Sequence, residues 1–175
     1  MANTYVKIGS TVTVGAGGSA SIDFTSIPST YTDLVVKLSS RTTDTTVNDS
    51  SAIALQFNGD TASNYSRRTV FGDGGAVGSS SATTTSMRIG FTTTNGDTAN
   101  TFGNAEIYIP NYAGSTAKSV SADAVTEANV AQFIYAALNA GLWTGTAAIT
   151  SIKLIAPSFN FMQYSTATLY GILKN

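Results

Sequence analysis

The segment STATLYGIL (Ser165–Leu173), close to the carboxyl end of the chain, decides the fold. Small and aliphatic residues occupy every second position: Ala167, Leu169, Gly171 and Leu173. The positions between them hold Thr168, Tyr170 and Ile172. Alternation with a period of two is the pattern of a half-buried β-strand. The segment therefore predicts a strand that closes a sheet.

The same alternation recurs along the chain, in which Thr and Ser replace the residues that usually cover helix surfaces. We predict about ten strands, near Tyr5–Val14, Ala20–Phe24, Asp33–Ser40, Ser51–Phe57, Tyr65–Phe71, Ser86–Phe91, Asn104–Pro110, Lys118–Thr126, Phe133–Trp143 and Ser151–Ala156, in addition to the closing strand at Ser165–Leu173. Gly- and Asn-rich turns separate them. The sequence predicts an all-β, antiparallel, jelly-roll-like β-sandwich with little helix, formed by residues 1–175 as one domain.

Three segments fit this pattern less directly. Residues 127–142 place Val130, Phe133, Ile134 and Leu138 near helical spacing, yet alternating small residues also fit a strand, which we favour. One helical turn is expected around Ser26–Tyr31, which contains Pro28. The Ser- and Thr-rich stretch Gly78–Thr85 is predicted to be a mobile surface loop.

Composition excludes several classes of function. The chain has no Cys and no His, so typical zinc sites, cysteine nucleophiles and Ser-His-Asp triads are impossible. Its net charge is −1, and no basic stripe exists that could bind nucleic acid. No apolar run approaches the length of a membrane span, and the amino terminus lacks the pattern of a secretory signal. We expect no cofactor, no metal, no nucleic-acid partner and no membrane insertion.

The stretch FNGDTASNYS (Phe57–Ser66) is the strongest candidate for a metal loop. Asn58, Asp60 and Asn64 could supply oxygen ligands to calcium, but no downstream Glu provides bidentate closure. Asn58-Gly59 is also the preferred dipeptide of a type I′ hairpin turn. We therefore favour a hairpin turn whose backbone is satisfied by Asp60 and Ser63, with calcium as the alternative.

Aromatic residues beside polar loop residues are the candidates for glycan binding, because sugars stack on exposed rings. Asn64, Tyr65, Tyr112 and Tyr164 are possible glycan or surface contacts. The single tryptophan, Trp143, is expected in the core or at a subunit interface. The acidic residues lie mostly in predicted loops and strand ends, and the sequence does not pair two of them as a catalytic couple.

Five phrases occur in order along nearly the whole chain: FTSIPSTYTDLVV (Phe24–Val36), FNGDTASNYS (Phe57–Ser66), YIPNYAGSTAKS (Tyr108–Ser119), GLWTGTAAITSIKL (Gly141–Leu154) and YSTATLYGI (Tyr164–Ile172). Together they resemble a group of virion structural proteins of tailed bacteriophages, common in phages of cyanobacteria and other aquatic bacteria. Related domains occur as short virion proteins and within longer tail-fibre-like chains. The family carries no catalytic motif, so the resemblance implies an exposed, non-enzymatic β module.

The resemblance leads us to expect a capsid-associated decoration or head-fibre module, made in the host cytoplasm and placed on the virion surface. Its partners would be other virion proteins. Particle symmetry favours closed rings, and a homotrimer is expected because fibres and capsid three-fold positions both use trimers. The alternative is a tail-fibre tip or adhesin domain that binds a host-surface glycan. A glycan-degrading virion enzyme is a third hypothesis.

Overall fold

Twelve strands in two sheets form the computed structural model, which describes residues 4–47, 49–129 and 135–173. The strands are β1 (Tyr5–Thr13), β2 (Ser21–Phe24), β3 (Asp33–Ser40), β4 (Ser50–Phe57), β5 (Tyr65–Gly72), β6 (Val77–Thr84), β7 (Met87–Thr93), β8 (Gly103–Ile109), β9 (Lys118–Val125), β10 (Ala136–Trp143), β11 (Ile152–Ile155) and β12 (Thr166–Ile172). The described residues contain no helix. The predicted all-β antiparallel sandwich is confirmed.

The strands pair in a nested order. The eight-stranded sheet runs β1-β12-β3-β8-β9-β10-β5-β6, and the four-stranded sheet runs β2-β11-β4-β7. The pairs β1·β12, β2·β11, β3·β8 and β4·β7 lie one inside the next along the chain. These eight strands follow the order of a jelly roll. The remaining strands form two hairpins, β5–β6 and β9–β10, that widen the larger sheet.

The closing strand β12 shows why alternation predicts the fold. Ala167 and Leu169 are buried in the core between the sheets, whereas their neighbours in the strand are only half-buried. Gly171 faces the ring of Tyr31 so closely that a Cβ atom at this position would overlap the ring. The strand is therefore fixed in register by small and large residues that alternate on its buried face.

Two predictions about local structure needed correction. Gly78–Thr85 is not a mobile loop, because residues 77–84 form strand β6 and pair with all eight residues of β5. Ser26–Tyr31 contains no helical turn, since its backbone pairs with other loops: Ile27 N donates to Thr150 O at 3.0 Å, and the Tyr112 hydroxyl donates to Pro28 O.

The ambiguous segment 127–142 is a strand where it is described. Residues 136–143 form β10 and pair with β9 and β5 over eight residues each. The preference for a strand over a helix is confirmed for these residues. The predicted start of the strand at Phe133 and the positions Val130 and Ile134 lie outside the described residues.

We predict that Gly171→Ala destabilises the protein by about 1–3 kcal/mol, because the added methyl group must displace the Tyr31 ring. Gly15→Ala is the matched control, since a methyl group added there would meet no atom within 4 Å. Urea unfolding of both variants measures the difference. Equal stabilities for the two variants would show that the ring does not pack on this strand.

Candidate functional site

Loops from both sheets meet at each end of the sandwich. At one end, which we call the tryptophan end, lie loops 25–32, 58–64, 110–117 and 144–151. At the opposite end, which we call the arginine end, lie loops 14–20, 41–47, 94–102 and 156–165. The sequence-predicted contact residues are divided between them: Asn64, Tyr65 and Tyr112 lie at the tryptophan end, and Tyr164 lies at the arginine end.

The Asn58-Gly59 dipeptide forms a tight turn. Asn58 has φ 53° and Gly59 has φ 69°, and Asp60 N donates to Phe57 O at 2.9 Å. Two central residues with positive φ define the type I′ turn expected from the sequence. The strands that it joins, β4 and β5, lie in different sheets. The predicted turn is therefore confirmed, but the predicted hairpin is wrong, because β4 and β5 do not pair with each other.

The side chain of Asn58 fastens this turn to loop 144–151. Its Nδ2 donates to Ala148 O at 2.8 Å, and its Oδ1 accepts from Thr150 N at 2.8 Å and from Ser151 N at 3.1 Å. These bonds use both ends of the amide. Asn58 is thus a connection between two loops and has no oxygen free for a metal.

Asp60 is the centre of the FNGDTASNYS loop. Its Oδ2 accepts from Trp143 Nε1 at 2.7 Å and from Asn64 Nδ2 at 2.9 Å, and its Oδ1 accepts from Ala62 N at 2.9 Å. These hydrogen bonds, above all the one from Trp143, lower the pKa of Asp60. Ser63 makes no hydrogen bond to the described residues, so its predicted role in the turn is wrong.

Both carboxylate oxygens of Asp60 are thus occupied by protein donors. The described residues contain no group of three acidic residues that could hold a metal ion. The loop's polar side chains bind one another and the neighbouring loop. The FNGDTASNYS segment serves as a structural lock, and its donor set does not fit calcium.

Two of the tyrosines proposed as glycan contacts cannot reach a ligand. Tyr65 and Tyr112 are both 0% exposed. The Tyr65 hydroxyl accepts from Phe57 N at 2.9 Å, and burial raises the pKa of Tyr65 to about 12. The Tyr112 hydroxyl binds the backbone of Pro28 and Tyr31. Each ring fills the core while its hydroxyl pairs with buried backbone, so these two predictions are wrong.

Trp143 lies in the core, with 4% of its surface exposed. Its ring lies 5.5 Å from that of Phe57 and 6.5 Å from that of Tyr65, measured between centroids. Asn64 is half-buried and donates its amide to Asp60. The tryptophan end is therefore built around a packed aromatic cluster.

Lys118 is a buried cation that sequence reasoning missed. Its ammonium group donates to the carbonyl oxygens of Gly114, Thr116 and Ala147, and it lies 5.9 Å from the centroid of the Trp143 ring. Burial lowers the pKa of Lys118. The residue closes loop 110–117 onto loop 144–151. No signal in the sequence separates it from an exposed lysine at the start of a strand.

Arg41 plays the same part at the arginine end, and sequence reasoning also missed it. Its Nη1 donates to Thr98 O at 2.7 Å and Thr101 O at 2.9 Å, and its Nη2 donates to Asp97 O at 2.9 Å. Burial lowers the pKa of Arg41, and the charge of Asp97 opposes that shift. Arg41 thereby holds the backbone of loop 94–102 in one shape.

Tyr164 is the one predicted contact that is open to solvent, with 68% of its surface exposed. It lines a pocket of about 240 Å³ at the arginine end, beside Asn95, Asn100, Phe102 and Gln163. The floor of this pocket contains Arg41 and Asp97. This is the pocket in which an exposed aromatic ring and several amides occur together.

A second exposed feature lies on the outer face of the larger sheet. Apolar side chains from β5, β6, β9 and β10 form what we call the outer apolar patch: Val70, Val77, Val125, Ala136 and Leu138. Val77 is 90% exposed and Leu138 is 57% exposed. Exposed apolar groups that cluster in this way mark interaction surfaces.

Strand β6 forms the edge of the sheet beside this patch. Its sequence, VGSSSATT, contains no charged residue and no proline. The opposite edge strand, β1, is protected by Lys7, by Gly9 at φ 69° and by a register irregularity between Ile8 and Val12. Edge strands without such protection pair readily with another strand.

Comparison with known proteins gives no relative: no family model, no curated protein and no solved structure matches the chain. The described residues contain no helix long and apolar enough to cross a membrane. The described residues define the class as a jelly-roll-like β-sandwich with internally bonded loops, an exposed apolar patch and a small pocket beside an exposed aromatic ring.

The Asn58 amide gives a first test of the lock. Asn58→Gly keeps the positive φ but loses the side-chain bonds to loop 144–151, so we expect a loss of about 2–3 kcal/mol. Asn58→Ala should lose about 1 kcal/mol more, because alanine is strained at φ 53°. Urea unfolding measures both losses. Ser63→Ala is the control, and an Asn58→Gly variant as stable as this control would contradict the lock.

The bond between Trp143 and Asp60 predicts a pH dependence of stability. A lowered pKa of Asp60 in the folded state contributes stability that is present above about pH 4 and is lost as the pH falls through the folded pKa. Trp143→Phe removes the largest cause of that shift. The variant should be about 1–2 kcal/mol less stable than the wild type at pH 7. This difference in the free energy of unfolding should become smaller at acidic pH, where Asp60 is protonated.

Urea unfolding at pH 7 and at about pH 2.5 measures this narrowing. Leu169→Val is the control, because Leu169 is a buried residue without charge. Its loss of stability relative to the wild type should be the same whether or not Asp60 is protonated. Trp143→Ala should cost about 3–5 kcal/mol at pH 7. A cost below about 1 kcal/mol would mean that the ring is exposed.

Proposed function

We propose that this protein is a non-enzymatic structural protein of a tailed-bacteriophage virion, acting as a capsid-associated decoration or head-fibre module. The sequence resemblance supports the virion assignment. The jelly-roll order of the strands supports it by analogy, because viral capsid and lectin domains use this architecture. The observation that carries the proposal is the outer apolar patch next to the unprotected edge strand β6.

The patch is suited to protein–protein contact rather than to water. Val70 lies opposite Leu138 in the β5–β10 register, and Val77 lies in the neighbouring row, opposite Gly72 of β5. The charged groups near them are Asp123, opposite Leu138 on β9, and Arg68 on β5. An apolar centre with a sparse charged rim resembles the composition of stable interfaces.

The exposed edge of β6 would also orient a partner on this surface. Its outward N–H and C=O groups can be satisfied by a strand of a neighbouring subunit. A contact made by a patch and an edge together fixes both distance and orientation. We therefore assign the patch and the β6 edge to contacts between copies of this chain and with other virion proteins, with a closed homotrimer as the expected assembly.

The polar clusters support a non-enzymatic role. Asp60, Lys118 and Arg41 each hold neighbouring loops through several internal hydrogen bonds. Asp44 does the same, accepting from Thr46 and Ser51. Charged groups committed in this way stabilise loops and are poorly placed to exchange protons with a substrate. A particle-surface protein needs such rigidity and needs no cofactor.

A tail-fibre or adhesin role is the second candidate. The observation that favours it is the open pocket around Tyr164. The two roles are compatible in one molecule, because the outer apolar patch lies on β5, β6, β9 and β10, whereas the pocket is built from loops that follow β3, β7 and β11.

The assembly surface predicts the behaviour of charged variants. Leu138→Lys places a cation at the centre of the outer apolar patch and should convert the oligomer to monomer, because an unpaired charge is costly to bury. Thr13→Lys, on the exposed face of the opposite edge strand β1, is the control and should leave the oligomer intact. Light scattering after size-exclusion chromatography measures the mass.

A wild-type protein that is monomeric at high concentration would contradict the assembly surface. The location on the particle is tested separately, by electron microscopy of virions labelled with an antibody against this chain. Label over the capsid is expected. Label on the tail tip alone would overturn the decoration role in favour of the adhesin role.

A further inference from the structure

Tyr164 occupies a position that tyrosine rarely takes. It is the third residue of the turn Met162–Ser165, which is closed by Ser165 N donating to Met162 O at 3.1 Å. Its φ is 72°, a value that a type II turn usually gives to glycine or asparagine. A bulky side chain at such an angle is strained. The strain places a mostly exposed aromatic ring at the rim of the pocket.

The turn that carries this ring is held on both sides. Tyr164 N donates to Val14 O at 3.0 Å, and Met162 N donates to Arg41 O at 2.8 Å. The next residue, Ser165, is buried and accepts a hydrogen bond from Arg41 N at 3.1 Å. The ring therefore projects from a fixed backbone, and little conformational entropy would be lost when a ligand packs on it.

Amide side chains surround the ring. Asn95, Asn100 and Gln163 line the pocket, and their side-chain amides make no hydrogen bond to the described residues. Asn100 also has a positive φ, 65°, and is exposed. Each amide offers both a donor and an acceptor, which suits hydroxyl groups that also do both.

The charged side chains beneath the pocket, Arg41 and Asp97, are buried, with 4% and 7% of their surfaces exposed. The Arg41 guanidinium donates to carbonyl groups of loop 94–102, and Asp97 Oδ2 accepts from Thr94 N at 3.0 Å. The other carboxylate oxygen, Oδ1, is enclosed by protein and has no hydrogen-bond partner among the described residues. The groups that a ligand meets are thus an aromatic ring and neutral amides, so the pocket favours a neutral ligand.

We infer that this pocket binds a single neutral pyranose unit of a glycan. The apolar face of the sugar ring stacks on Tyr164, and its hydroxyl groups hydrogen-bond with the amides of Asn95, Asn100 and Gln163. The volume of about 240 Å³ is large enough for one sugar ring, and it is smaller than the pockets that enclose drug-sized ligands. The inference does not depend on where the protein sits on the particle or on its oligomeric state.

Saturation-transfer difference NMR tests the inference with four probes: the methyl glycosides of glucose, galactose, mannose and N-acetylglucosamine, each at about 10 mM. One sugar unit in a small open pocket should bind with a Kd of about 1 mM, so this concentration gives high occupancy. Signal transfer to at least one sugar is expected, with the strongest transfer to protons on one ring face.

Tyr164→Gly separates binding from folding, because glycine accepts φ 72° without strain. This variant should weaken binding at least about tenfold while its Tm stays within about 2 °C of the wild type or rises. Asn100→Gly should also weaken binding without unfolding the protein. Tyr5→Ala is the control, since Tyr5 is an exposed tyrosine at the opposite end of the sandwich; it should bind the sugar normally.

Two results would overturn the inference. One is the absence of transfer to all four sugars at this concentration. The other is transfer that is unchanged in Tyr164→Gly, which would place the sugar elsewhere. Because the mass of the oligomer and the antibody label are read in separate experiments, failure of the sugar site is distinguishable from failure of the virion role.

Discussion

The hydrogen bond from Trp143 Nε1 to Asp60 Oδ2 organises one whole end of this protein. It joins the last residue of a strand in the larger sheet to the loop that leaves the smaller sheet. Because the tryptophan ring is buried, its N–H must find an acceptor, and the carboxylate supplies a charged one. The same carboxylate shapes the loop by binding Asn64 and the backbone of Ala62.

Other buried polar groups extend this principle to the rest of the loops. Lys118 holds carbonyl oxygens at the tryptophan end, and Arg41 holds them at the arginine end. Each cation supplies hydrogen-bond donors to loop carbonyl groups that have no partner in a strand. The chain has few charged residues, and several of them are buried. Few charged residues therefore remain near the outer apolar patch.

The sequence predicted the sandwich because alternation is a local signal, and β12 shows it in every residue. The prediction failed at β6, where a run of small and hydroxyl residues shows no alternating apolar face and its composition resembles that of a loop. The Asn58-Gly59 dipeptide predicted the turn in which it lies. It did not predict that β4 and β5 belong to different sheets, because that depends on pairing with strands distant in the sequence. Tyr65 and Tyr112 looked like contacts because they adjoin polar loops, whereas the direction of each ring is set by the core.

The two candidate surfaces were predictable from the sequence only in part. Tyr164 was recognised as an aromatic residue near polar groups, but its pocket joins segments that are far apart in sequence. The outer apolar patch also depends on strand order, since β5, β6, β9 and β10 become neighbours only in the folded sheet. Internally bonded loops and exposed surfaces together describe a rigid module, for which we propose a role in contacts with other molecules.

The chain has one tryptophan, so its indole N–H gives a single signal in a ¹⁵N-correlated NMR spectrum, and hydrogen exchange of that signal tests the central interaction most directly. If Trp143 binds Asp60 as described, the indole proton exchanges only through opening of the fold and its signal does not move when calcium is added. Exchange as fast as that of an exposed indole, or a shift with calcium, would show that FNGDTASNYS is an open ligand loop and would contradict the account.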